Sequence, residues 1–134
     1  MWAFGVNEFA LRLPSVVFTT LGIYLTFEIG RYLFSKRVGY IAAFLYSISG
    51  VIVEVSAGRI ATDHVDVFFL FFVELAVFLA IKFAISKKQI FNILCGVAIG
   101  LAILSKWLPA LIVLPIWMLL MLDSKRFTLK ELIA

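Results

Sequence analysis

VDVFFLFFVELAVFLAIKFAI, residues 65–85, decides the fold class. Only Asp66, Glu74 and Lys82 interrupt its apolar run. Its length falls within the ~17–25 residues that a helix needs to cross a bilayer. Unpaired backbone groups are too costly in lipid for a single open strand, so the segment must be helical. The same argument overrides the strand-like VIVEV at residues 51–55. Working outward, four further apolar runs appear at 13–34, 39–55, 90–104 and 108–122. The last two are short for a bilayer and need help from flanking turns or local thinning. The expected fold is an all-α polytopic transmembrane bundle of about five spans in one membrane domain, residues 1–134.

Composition supports this reading. The chain is 64% hydrophobic and 15% charged, with a mean hydropathy of +1.13. Soluble domains run nearer ~25% charged and ~45–50% apolar. A chain of 134 residues cannot bury so much apolar surface in a soluble globule. Fourteen Phe exclude a disordered chain. The single cysteine, Cys95, excludes an intrachain disulfide and a cysteine metal cluster. Within its apolar run it reads as an inert filler. MWAFGVNEF lacks the basic start of an ordinary signal peptide.

Local signals set the boundaries. Pro14 and Pro109 suit the first turns of the first and fifth spans. Residues 35–39 and 86–89 read as short polar turns between antiparallel helices. Residues 4–12 set Phe4, Phe9 and Leu11 against Asn7, Glu8 and Arg12, which suits a short interfacial helix. The residues from Thr128 onward read as the start of another helix.

Alternating helices place Arg31, Lys36, Arg37, Lys82, Lys87, Lys88, Lys125, Arg126 and Lys130 on one side. These are nine of the twelve basic residues, so that side is expected in the cytoplasm. This pattern accounts for the net charge of +4 without a nucleic-acid partner. The outer side then holds Glu8, Arg12, Arg59, Asp63, His64, Asp66 and Lys106.

The stretch GRIATDHVDVFFLFFVE, residues 58–74, carries the strongest chemical signal. At about 100° per residue, with Arg59 at zero, Asp63, Asp66 and Glu74 fall within an arc of about 80°. Such a stripe avoids lipid, because each charge costs ~2.5–3.5 kcal/mol near the bilayer centre. It faces the bundle interior or a water-filled cavity. A plainer alternative makes Asp63 a helix cap, Asp66 a partner of the helix dipole, and Arg59–Asp63 a structural pair. Glu74 sits mid-span and is expected to be protonated or bonded to another helix, because burial disfavours the charged form. Glu28 and Arg31 are spaced for a structural ion pair. His64 has no second histidine with which to build a zinc site. Gly96 and Gly100 form a GxxxG pattern expected to pack helices. Lys106, beside Trp107, is either an interfacial anchor or a cation for phosphate.

In order and spacing, FGVNEFALRLPSVVFTTLGIYL, GRYLFSKRVG, AGRIATDHVDVFFLFF and GVAIGLAILSKWLPALIVLPI resemble the GT-C polytopic glycosyltransferases. The likeness is to the protein O-mannosyltransferase and lipid A aminoarabinose-transferase type. It implies transfer of a sugar from a polyprenyl-phosphate donor to a protein, lipid or glycan acceptor at the outer membrane face. It also implies inversion with an acidic base, and a multi-pass protein of the plasma (inner) membrane with its active face outward. By match, Asp63 and Asp66 are the catalytic candidates, and Arg59, Arg12 and Lys106 the candidates for substrate phosphate. Glu8 is the candidate ligand of a divalent metal, the one cofactor the resemblance allows. The family's usual base lies in an outer loop upstream of Met1. The chain therefore reads as a segment of a longer enzyme, inactive alone. A multispanning transporter or a non-catalytic membrane subunit is the competing class.

Overall fold

The computed structural model describes residues 8–50, 52, 54 and 65–123, with backbone alone at 8–11 and 123. Among them every regular element is helical. We number them α1 (Glu8–Leu33), α2 (Lys36–Ile48), α3 (Val65–Ser86) and α4 (Gln89–Lys106); a 3₁₀ turn, Leu108–Ile112, then leads into α5 (Val113–Asp123). The protein is an all-α membrane bundle. Arg12–Leu33, Val65–Ser86 and Gln89–Lys106 are each long and apolar enough to cross a membrane. The apolar helical stretch Leu108–Leu122 is shorter.

Helix limits follow local chemistry. The turn expected at 35–39 shrinks because the Ser35 hydroxyl accepts from Val38 N–H at 3.3 Å. That cap starts α2 at Lys36, so Lys36 and Arg37 are helical. The described part of the interfacial stretch, residues 8–12, is continuous with the first span, and Pro14 lies inside α1 rather than opening it. A helix of 26 residues reaches about 39 Å, longer than the ~30 Å apolar core of a bilayer. Between α3 and α4, Lys87 holds φ 56°, and its N–H donates to Phe83 O at 2.9 Å. Pro109 sits at the start of the 3₁₀ turn.

The register of contacts gives the topology. Phe18 meets Phe68 and Phe71 at 4.8 and 4.9 Å, while Tyr32 meets Phe78 further along, so α1 and α3 run parallel. Gly30 abuts Gly39, and Cys95 reaches Ala76, so α2 is antiparallel to α1 and α4 to α3. Helix α3 packs on α1, α4 and α5 and is the central element.

Lipid offers no hydrophobic drive between helices, so close approach of small residues does the work. Ala76 and Ala80 of α3 face Cys95 and Ala98 of α4, and Val113 closes the cluster. The Cys95 thiol donates to the Ala76 carbonyl at 3.3 Å. A Cβ on Gly39 would lie 2.6 Å from the Phe27 carbonyl oxygen, so α1 and α2 touch backbone to backbone. Gly96 and Gly100 behave otherwise. A Cβ on either meets nothing within 4 Å, so the GxxxG pattern serves no contact among the described helices. The hydroxyls of Thr20, Ser47, Ser86 and Ser105 donate to carbonyls about one turn back in their own helices.

Candidate active-site end of the bundle

The topology brings the first turns of α1 and α3 and the last turn of α4 to one end of the bundle. There Asp66, in the first turn of α3, accepts a hydrogen bond from the Lys106 ammonium, the last residue of α4. Forty residues separate the partners in sequence. Each sits where its helix dipole favours its charge, the acid at an N-terminus and the base at a C-terminus. The Lys106 side chain is half exposed and that of Asp66 about one-fifth. The pair therefore opens toward solvent on its lysine side.

The next residue ends the helix that carries this lysine. Trp107 adopts φ 56° and ψ −129°, a conformation that type II′ turns normally give to glycine. Its N–H still donates to Ile103 O at 2.7 Å, so α4 ends at that point. Such a backbone costs on the order of 1–3 kcal/mol and persists only where its surroundings determine it. The turn leaves the Trp107 side chain largely exposed. Ile103, Trp107, Leu108 and Leu111 line a small, open apolar recess, and Trp107 is the residue next to Lys106 in the chain.

Of the residues singled out in sequence, Asp66 and Lys106 meet. Arg12 is exposed on the early turns of α1, at the same end of the bundle. Arg59, Asp63 and His64 lie outside the described residues, as does the Glu8 side chain. Glu74 and Asp66 are the described members of the expected stripe. Glu74 lies two turns deeper and faces α1 and α2, where its Oε2 and the Tyr46 hydroxyl would each sit 3.0 Å from a Cβ on Gly22. That buried Oε2 has no hydrogen-bond partner among the described residues. The eight residues from Asp66 to Glu74 turn the helix by about 80°, enough to point them at different neighbours. Tyr46 was not legible as Glu74's neighbour, because nothing in a single chain sets the register of α2 against α3. Among the described residues, no three His, Cys, Asp or Glu side chains converge to hold a metal.

The chain matches the model of the dolichyl-phosphate-mannose-protein mannosyltransferase family over residues 1–134. It is 34% identical over 122 residues to the undecaprenyl phosphate-alpha-4-amino-4-deoxy-L-arabinose arabinosyl transferase of Pseudomonas aeruginosa, covering 84% of this chain and 22% of that protein. A second arabinosyl transferase of that description, from Pseudomonas fluorescens, is 36% identical over 127 residues, covering 87% of this chain and 22% of its own. The putative mannosyltransferase YkcB of Bacillus subtilis is 26% identical over 131 residues, covering 98% of this chain and 18% of its own. The chain thus spans about a fifth of the length of these relatives. No solved structure matches it significantly. With a family model matched from end to end and helices that cross a membrane, the chain belongs to the dolichyl-phosphate-mannose-protein mannosyltransferase family of GT-C membrane glycosyltransferases.

Proposed function

We propose that this chain forms part of a membrane glycosyltransferase that moves a sugar from a polyprenyl-phosphate donor to a protein, lipid or glycan acceptor. The observation that carries this reading is the Lys106–Asp66 pair, followed in the chain by Trp107 of the apolar recess. A polyprenyl-phosphate sugar is an anion on an apolar tail, and this end of the bundle offers a cation and an apolar surface. The acceptor nucleophile attacks the anomeric carbon, and the bond from that carbon to the phosphate oxygen breaks. The acceptor's proton passes to an acidic base, and polyprenyl phosphate leaves. Lys106 supplies positive charge to the departing phosphate, with Arg12 and Arg59 as further phosphate contacts. Asp66, already bonded to Lys106, holds that cation rather than taking the proton. Asp63 is the base candidate within this chain, and Glu8 the candidate for a divalent metal. The active face is the one bearing Asp66, opposite the basic side that the positive-inside rule puts in the cytoplasm.

The test is sugar transfer from a labelled polyprenyl-phosphate donor by the full-length protein. Lys106→Gln is expected to lower turnover by about 10²-fold, the scale of losing one charge-stabilising donor. Asp66→Asn should produce a smaller loss. Normal transfer by Lys106→Gln at limiting donor would remove the phosphate role. A multispanning transporter would instead move its substrate across vesicles without releasing polyprenyl phosphate.

A further inference from the structure

The opposite end of the bundle is built differently. Tyr32 of α1 is in contact with two cations. The Lys82 ammonium donates to its hydroxyl at 2.6 Å and lies 4.4 Å from its ring centroid. The Arg31 guanidinium lies 4.9 Å from the same centroid. Both cations are thus held against one neutral ring. The acid at hand is Glu28, itself buried and paired with Arg31 at 2.9 Å. At this end, residues 28–40 and 78–90 carry Arg31, Lys36, Arg37, Lys82, Lys87 and Lys88 against Glu28 alone. Lys36 leans on the Tyr40 ring, and Lys87 holds its left-handed backbone at the tip of the α3–α4 turn. Phe34, Ile85 and Ile90 stand exposed among these cations.

We infer that this end of the bundle is a binding site for the anionic headgroup of a glycerophospholipid, with Lys82, Arg31 and the Lys87–Lys88 turn as its cations. Arg31 already has Glu28, whereas the Lys82 ammonium is held by a neutral hydroxyl and ring, and an anion beside it supplies the missing negative charge. The ring attracts each cation through its quadrupole but supplies no net negative charge. Lys82 enters from within the last turns of α3, with its stem along apolar surface and its ammonium at the headgroup level. A free phosphate would satisfy the charge and leave Phe34, Ile85 and Ile90 unused; a phospholipid satisfies both, its acyl chains lying along these side chains. Basic groups between and just beyond membrane helices recognise anionic lipids on these terms. The site is independent of the sugar-transfer reading, because it lies at the other end of the helices from Asp66 and Lys106.

The test uses the full chain reconstituted in phosphatidylcholine vesicles at about 0.15 M salt, near the physiological screening regime. Spin-labelled phosphatidylglycerol and spin-labelled phosphatidylcholine are compared for the fraction immobilised on the protein. Phosphatidylglycerol should be preferred by fivefold or more, about the effect of one well-placed cation. Lys82→Gln should cut that preference by about fivefold. The double variant Lys87→Gln/Lys88→Gln alters only the exposed turn, so it reports even where Lys82→Gln fails to fold; it too should lower the preference. Inorganic phosphate at matched ionic strength should not displace the labelled lipid. No preference in the wild-type chain, a preference untouched by the Lys87/Lys88 variant, or displacement by inorganic phosphate would each overturn the inference.

Discussion

The two ends of this bundle treat charge in opposite ways. At one, Lys106 meets Asp66 across two helices and the charges cancel. At the other, Lys82 and Arg31 share a tyrosine ring, and cations outnumber acids. The cancelled pair leaves a half-exposed lysine next in the chain to Trp107 of the apolar recess. The uncancelled cluster holds one end of the protein against an anionic surface. A membrane helix therefore uses charge at its ends for two purposes, and the partner decides which. An acid in a first turn makes a confined site, whereas an aromatic ring concentrates positive charge without neutralising it.

The sharpest way to break this contrast is through the backbone beneath the cationic end. Gly39→Leu adds a whole side chain where a Cβ alone would lie 2.6 Å from the Phe27 carbonyl oxygen, so α1 and α2 must separate. The expected loss is about 3 kcal/mol or more, the upper range of overpacking, read as a fall in unfolding midpoint in mixed detergent. An unchanged midpoint would show that α1 and α2 do not meet at Gly30 and Gly39.

Tyr32→Phe comes next. It removes the hydroxyl that accepts from Lys82 and keeps the ring. Its melting temperature should fall by less than that of Gly39→Leu, with lipid preference largely retained because the ring still holds both cations. A fall as large as that of Gly39→Leu would mean that the hydroxyl, rather than backbone packing, secures this end.

The Asp66–Lys106 pair is expected to matter less for stability than for turnover. A double-mutant cycle with Asp66→Asn and Lys106→Gln should give a coupling of about 1 kcal/mol or less, since half of the lysine side chain is exposed and salt screens such pairs. The coupling should shrink further at 1 M salt, where screening acts over only about 3 Å. A coupling of several kcal/mol would mark the pair as a structural clamp.

The smallest effect belongs to the GxxxG pattern. Gly96→Ala and Gly100→Ala meet open space and sit in a helix interior, where alanine is favoured. Stability should hold or rise by about 1 kcal/mol at most. A marked loss in the full-length protein, but not in this chain, would show that another helix uses that face.

Segment by segment, what could be read in advance follows from what each signal depends on. The span at 65–85 was legible and appears as Val65–Ser86, because an apolar run of bilayer length leaves the backbone no alternative to a helix. The Glu28–Arg31 pair was legible because both partners lie on one helix. The 13-residue α2 was less so: its start depends on a single capping hydroxyl, which moves the boundary back from residue 39 to Lys36. The glycines were misleading. The spaced pair, Gly96 and Gly100, faces open space, while Gly30 and Gly39, with no motif between them, carry a helix contact.

By itself, then, the sequence determined that the chain is helical, that it lies in a membrane, and that its basic residues gather on one side. These are consequences of solvent and of charge counted along the chain, and they need no neighbour. Only the tertiary structure decided that Asp66 meets Lys106, that Glu74 faces Tyr46 and Gly22, and that Lys82 joins Arg31 on Tyr32. Each of these pairings joins different helices. In lipid, where burial does not discriminate between faces, register and rotation are set by which small residues let two backbones approach, and that choice exists only once the helices are side by side.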